Sequence, residues 1–341
     1  MDNDELFYTN NKANENDFQE IVNENKINGI ILIIYVVFTL LATLVSAQLQ
    51  ISKENEYTNL IEENLSWQIV VSEDENYIIN YTGTIDNNSD RTFETIYYRL
   101  EFYNDNDELI GQDFIEISNI KAGESIQVDE EFEFTEEIVK VVQTEIIPLS
   151  KSIVIALNLV STILIAFVLF FVNKTNFYNN FISFKNNPKK YFGYVIAGFA
   201  LVYAAMIFAN IILDLLGITV TSQNEQTIQS LFTKNTLNII MLFLLLTVFT
   251  PIVEETVFRK SIYGFIRPLI GDIGAIIISG LIFAVMHVIS YGDYIQIIPY
   301  AFMGLSFSYI YFLSNRNIYV VIIIHFLNNL IPFLFYSTGL L

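Results

Sequence analysis

Two runs, 29-GIILIIYVVFTLLATLVSAQ-48 and 152-SIVIALNLVSTILIAFVLFFV-172, each pass about 20 residues without a charge. That is the length a helix needs to cross ~30 Å of hydrocarbon. Lipid supplies no water to a backbone amide, so such a run can cross only as a helix or as part of a closed barrel. Further apolar stretches at 192–216, 237–265, 272–291, 295–313 and 317–338 bring the expected number of spans to seven. Val45-Ser46-Ala47 has the small residues of a signal cleavage site, but the flank before residue 29 is acidic where a signal would be basic, so the first run reads as an uncleaved anchor.

A net charge of −20 on a chain that is 53% hydrophobic requires the two properties to be segregated. The charge is −5 over residues 1–48, −19 over 49–150 and +4 over 151–341. A charge-dense soluble module is therefore inserted into an apolar, slightly basic membrane protein. The acidic excess argues against a nucleic-acid partner. The absence of cysteine removes disulfides and thiolate ligands. Abundant Asn and Ile, with little Gly and Pro, point to a bacterial source.

Loop 173–190 holds Lys174, Lys185, Lys189 and Lys190 and no acid, which assigns it to the cytosol. Orientation then propagates: an acidic cytosolic tail at 1–28, an anchor at 29–48, residues 49–150 outside, a span at 152–172, the basic cytosolic loop, and a membrane domain over 191–341. Arg259, Lys260, Arg267 and Arg316 return to the cytosolic side, consistent with this choice. The expected fold class is a multi-pass α-helical membrane protein with a small extracellular all-β sandwich, in the cell membrane.

Within 49–150 the apolar period changes to two. The runs 67–71, 77–85, 93–103, 109–117 and 126–134 alternate apolar and polar side chains, the pattern of half-buried antiparallel strands. Asp86-Asn87-Asn88-Ser89, Asn104 to Asp107, and Lys121-Ala122-Gly123-Glu124 supply the turns. The order of strand, Asn-Asn-Ser turn, long strand and Gly turn over 82–126 resembles the FxLYD domain, an extracellular sandwich of bacterial membrane proteins. Leu100 to Asn104 and Ala122 depart from its pattern. No ligand for the module follows from this.

The membrane half carries charges that lipid should reject. Each Glu at mid-span costs ~2.5–3.5 kcal/mol on insertion scales, yet 251-PIVEETVFR-259 holds Glu254, Glu255 and Arg259. Glu255 and Arg259 are i, i+4 and can pair, whereas Glu254 lies ~100° round the helix and needs another partner. The chain has two histidines, His287 and His325, both in apolar runs, and Asn329 lies one turn beyond His325. A single intramembrane His commonly serves as a helix-to-helix hydrogen bond. Here three separate spans carry polar groups, and at ~1.5 Å per residue Glu254, His287 and His325 all fall near mid-bilayer. Pro251 kinks the helix one turn before Glu254, either freeing a carbonyl beside the site or as an ordinary kink. The tyrosines at span ends read as interfacial anchors.

Glu254-Glu255-x-x-x-Arg259, Phe283-x-x-x-His287 and His325-x-x-x-Asn329, in that order on successive apolar helices, resemble the CPBP family, the CAAX-protease and bacteriocin-processing intramembrane proteases also called Abi. The resemblance covers about 190–341. It implies that Glu254 is the general base sharing a water with His287, that His325 and Asn329 lie on the oxyanion side, and that Glu255 orients the site through Arg259, with Phe283 in support. The implied substrate is a membrane-associated peptide or protein. A mechanism without metal is expected; zinc held by Glu254, His287 and His325, with an open fourth position, is the alternative. A competing assignment is a non-catalytic scaffold or bacteriocin-immunity protein that binds a partner. A transporter fits less well, because no inverted repeat is visible.

Overall fold

A computed structural model of the chain describes residues 3–57, 61–71, 76–146, 148–218 and 222–338. Two compact units emerge, Met1–Ala42 together with Ile155–Leu341, and Thr43–Val154.

The smaller unit contains the β module. Strands β1 (Ile61–Val71), β2 (Tyr77–Asn87) and β5 (Ser125–Phe134) form one antiparallel sheet in the order β1-β2-β5. Strands β3 (Phe93–Tyr103), β4 (Leu109–Ile120) and β6 (Lys140–Ile146) form the second, in the order β4-β3-β6. Ile79, Tyr81 and Ile85 of one sheet share a buried cluster with Ile96, Tyr98, Leu100 and Phe102 of the other, so the alternating residues do face a common core. The expected turns form as their chemistry requires. The buried Asn87 amide donates to the carbonyls of Arg91, Ile120 and Lys121, Asn104 Oδ1 accepts from the amides of Asn106 and Glu108, and Gly123 adopts φ 70. Burial, with Glu63 nearby, pushes the ionisation of the Tyr81 and Tyr98 hydroxyls up. The sixth strand was not foreseen, because 140-KVVQTEI-146 does not alternate; it is recruited by pairing, Leu100 opposite Gln143 and Phe102 opposite Val141.

Six described segments, lying largely in the larger, membrane unit, are long and apolar enough to cross a bilayer: Val22–Ser52, Lys151–Val172, Pro188–Leu215, Thr236–Val288, Tyr294–Leu313 and Ile318–Thr338. The two spans expected at 237–265 and 272–291 run together in the fourth, whose 53 residues would reach ~80 Å as a straight helix. It does not stay straight. Gly271 leaves helical geometry at φ 76, ψ 179, and Ser279 Oγ donates to Phe258 O at 2.8 Å. Residues 21 positions apart would lie ~32 Å apart along one helix axis, so the chain must reverse between them. Arg267 Nε and Tyr263 Oη both bond Asp272 Oδ1, at 2.8 and 2.6 Å, and close the reversal. The segment thus supplies two antiparallel passes.

The acidic tail and the basic loop are both helical over their described residues. The acidic tail belongs to α1 (Asn3–Tyr57), since extending an existing helix adds a hydrogen bond per residue with no new nucleation. Its inner part docks on the membrane unit: Ile31 is buried, Glu24 pairs with Lys260 at 2.5 Å, and Asn28 O accepts from Ser261 Oγ at 2.6 Å. The basic loop contains α3 (Lys174–Asn186), whose Asn180 bonds Asn317 and the Ile318 amide. The remaining helices are α2 (Lys151–Val172), α4 (Pro188–Leu215), α5 (Gln223–Ser230), α6 (Thr236–Leu242), α7 (Thr250–Glu255), α8 (Gly264–Val288), α9 (Ile297–Leu313) and α10 (Ile318–Thr338), with π-helical turns at Phe243–Phe249 and Thr256–Tyr263.

Helices α8 and α9 touch backbone to backbone. A Cβ at Gly304 would lie 2.5 Å from Gly280 O, and one at Gly280 would lie 2.8 Å from Leu305 N. Small residues allow such an approach in lipid. Gly304→Val is therefore expected to cost about 1–3 kcal/mol through overpacking, read as a lower thermal midpoint in detergent micelles. An unchanged midpoint would contradict this close crossing.

Candidate active site

Glu254 and Glu255 end α7, where two irregularities of the ladder meet. The Thr250 amide donates five residues back, to Leu245 O; the next amide in that register would belong to Pro251, which has no N–H. Leu246 O is left without that donor. Asn329 Nδ2 fills the position at 2.9 Å from the Leu246 oxygen. The missing Pro251 N–H thus leaves open a carbonyl that fixes an asparagine of α10 beside the glutamates.

The predicted polar residues converge from three passes. Glu254 Oε2 lies 4.0 Å from His287 Nε2 and 3.9 Å from His325 Nε2, and no hydrogen bond among the described residues satisfies that oxygen. His287 Nδ1 is 2.8 Å from Phe283 O; a carbonyl only accepts, so Nδ1 carries the hydrogen. His325 Nδ1 is 2.7 Å from Glu255 Oε1 and donates in the same way. Both imidazoles therefore turn Nε2 toward Glu254, and in their neutral form Nε2 is an acceptor.

Glu255 points elsewhere. It is fully buried, bonded to His325 on one side and 3.1 Å from Arg259 Nε on the other. The Arg259 N–H is not aimed at the carboxylate, so the contact is an ion pair in place of a hydrogen bond. Arg259 is also fully buried; its Nη2 donates to Gly304 O at 3.3 Å. Its guanidinium carbon sits 4.6 Å from the Phe283 ring centre and 5.1 Å from that of Phe307, within cation–π range. The same rings press on the imidazoles, Phe283 at 4.3 Å from His287 and Phe307 at 5.0 Å from His325.

Glu254, His287, His325 and Asn329 line one cavity of about 570 Å³, and Glu255 does not. Beyond the predicted site residues, the lining includes Asn328, Tyr300 and Glu225. Asn328, the neighbour of Asn329, leaves Oδ1 buried without a hydrogen bond among the described residues. Tyr300, expected as an interfacial anchor, stacks on His287 at 4.6 Å and 26°. Glu225 lies on α5, in a connection that carried no motif. Ring stacking across helices leaves no local pattern in a sequence, so Tyr300 was not separable from ordinary aromatic anchors.

A catalytic zinc binds its donors at ~2.0–2.1 Å in tetrahedral geometry, which sets donor pairs about 3.3 Å apart. The separations of 3.9 and 4.0 Å are wider than that, and no group of three His, Asp or Glu among the described residues is arranged to hold a metal. A water hydrogen-bonded at ~2.8 Å to both partners fits these gaps without any side chain moving.

Residues 236–331 match the family described as type II CAAX prenyl endopeptidase Rce1-like. The membrane half carries an Rce1-like segment. That segment contains all three motifs. The chain is also 33% identical over 150 residues to a membrane-embedded CAAX protease, MroQ, of Staphylococcus aureus (strain USA300), covering 42% of this chain and 57% of that protein. It is 31% identical over 137 residues to YdiL of Bacillus subtilis (strain 168), whose name describes a membrane peptidase, covering 40% of this chain and 52% of that one. It thus spans little more than half the length of these curated relatives.

Proposed function

We propose that the protein is an intramembrane endopeptidase that hydrolyses a peptide bond of a membrane-associated peptide or protein. The observation that carries this reading is the meeting of Glu254 with His287 and His325 at the wall of a cavity within the membrane unit. The Rce1-like segment and the protease relative support it.

Peptide hydrolysis needs an activated water, a stabilised oxyanion and a proton for the leaving amine. A water held between Glu254 and an Nε2 loses its proton to Glu254 as its oxygen attacks the scissile carbonyl, and Glu254 then returns the proton to the departing nitrogen. His325 can take up a proton at Nε2 because Glu255 accepts from Nδ1 and balances the charge, so it can donate to the oxyanion. Asn329 has a second amide hydrogen beyond the one given to Leu246. Glu255 and Arg259 act through His325 as positioning residues. We assign the cytosol to the amino-terminal end and the outside to residues 49–150, from the distribution of lysine and arginine.

The cellular test compares the membrane peptidome of a deletion strain complemented with wild-type protein or with Glu254→Ala. Peptides that disappear in both the deletion and the Glu254→Ala strain support the reading. A Glu254→Ala strain indistinguishable from wild type contradicts it and favours a scaffold. We propose further that no metal takes part: purified protein is expected to keep full activity after exhaustive chelation. Loss of activity restored by one equivalent of zinc would reverse that assignment.

A further inference from the structure

We infer that Glu225 is a specificity-determining residue that receives a cationic side chain, Lys or Arg, of the peptide bound in the cavity; this rests on the peptidase reading. Among the described residues, the cavity wall holds two carboxylates, Glu254 and Glu225, and no Lys or Arg. Glu254 belongs to the cluster that meets the histidines. Glu225 stands apart on α5, and its side chain is bonded to a neutral group, Tyr336 Oη. A carboxylate lining a mostly apolar cavity without a cation of its own offers an incoming cation a charge-assisted bond in a poorly hydrated setting.

Two further features fit this assignment. The wall beside Glu225 is aromatic: Phe232 packs against Tyr336 at 5.6 Å and against Phe333 at 5.5 Å, and all three rings line the cavity. Carboxylate plus ring faces is the combination that holds ammonium and guanidinium groups. Helix α5 is also tied to the proposed chemistry. Asn224 Nδ2 donates to Tyr300 Oη at 3.0 Å and Ser222 Oγ bonds the same hydroxyl at 3.1 Å, while the Tyr300 ring stacks on His287. A side chain held by Glu225 would thus stand at a fixed separation from the peptide bond presented to Glu254.

The test uses full-length protein in lipid vesicles and a pool of Leu/Ala transmembrane peptides that differ by one Lys, Gln or Glu at each successive position, with products read by mass spectrometry. Wild-type protein is expected to cut the Lys member at least about tenfold faster than the Glu member at one fixed separation from the cut, the range of a charged hydrogen bond. Glu225→Gln, which keeps an acceptor for Tyr336, should bring the ratio near one, and Glu225→Lys should invert it. The same ratio in all three proteins, or no preference in the wild type, overturns the proposal. Binding is measured in parallel in the Glu254→Gln background. If no peptide is cut but Lys peptides bind more tightly and depend on residue 225, the peptidase reading fails and the cationic subsite stands. If binding does not depend on the peptide's charge, the subsite is overturned.

Discussion

Glu254→Gln is expected to lower turnover of a cleavable transmembrane peptide by about 10²–10⁴-fold, the range ascribed to a positioned general base, with little change in thermal stability. Gln has nearly the same shape, and the Glu254 Oε2 that it replaces forms no hydrogen bond among the described residues, so no established contact is lost. His287→Ala and His325→Ala should fall in the same activity range, since they remove the two nitrogens that face that oxygen. The measurement is turnover of purified protein in vesicles beside its melting curve. A Glu254→Gln protein with wild-type turnover would remove the base from the account. A variant that merely unfolds would show it in the melt.

The largest stability effect is expected at Arg259. Arg259 and Glu255 are fully buried, and removing one partner of a buried pair leaves an uncompensated charge at a cost of about 3–5 kcal/mol. Arg259→Leu should therefore lower the thermal midpoint by roughly 10 °C on the scaling of ~2–4 °C per kcal/mol for larger domains, and Glu255→Gln alone by a comparable amount. The double substitution removes both charges together and should recover much of that stability. It should not recover activity, because His325 Nδ1 loses the carboxylate to which it donates. A double variant that is stable and fully active would show that Glu255 does no more than neutralise Arg259.

What the sequence disclosed and what it withheld divide along the range of the interactions. Helical spacing alone pairs Glu255 with Arg259, and alternation alone marks five of the six strands. The chain's only histidines, in apolar runs, marked the meeting point of three passes because lipid penalises isolated polar groups, and the contacts of 3.9 and 4.0 Å agree with that expectation. Hidden were the contacts that depend on helix rotation and register. Glu255 was expected to act through Arg259; its bond to His325 joins residues 70 positions apart. Asn329 reaches Leu246 across 83 positions because Pro251 leaves that carbonyl free. A proline kink is visible in a sequence, but the group that answers the freed carbonyl is not. Strand β6 escaped because pairing with β3 recruits it in the absence of alternation, and α3 because a lysine-rich connection carries no strong apolar stripe.

If Glu254 is the base, its carboxylate and a histidine Nε2 share one water inside the membrane unit. A map of the full-length chain in lipid nanodiscs, fine enough to resolve ordered solvent, tests it most directly. One water is expected within hydrogen-bond reach, about 2.7–3.2 Å, of the Glu254 carboxylate and of a histidine Nε2. Side chains turned apart beyond the reach of any common solvent molecule, or a metal ion bound between them, would contradict it.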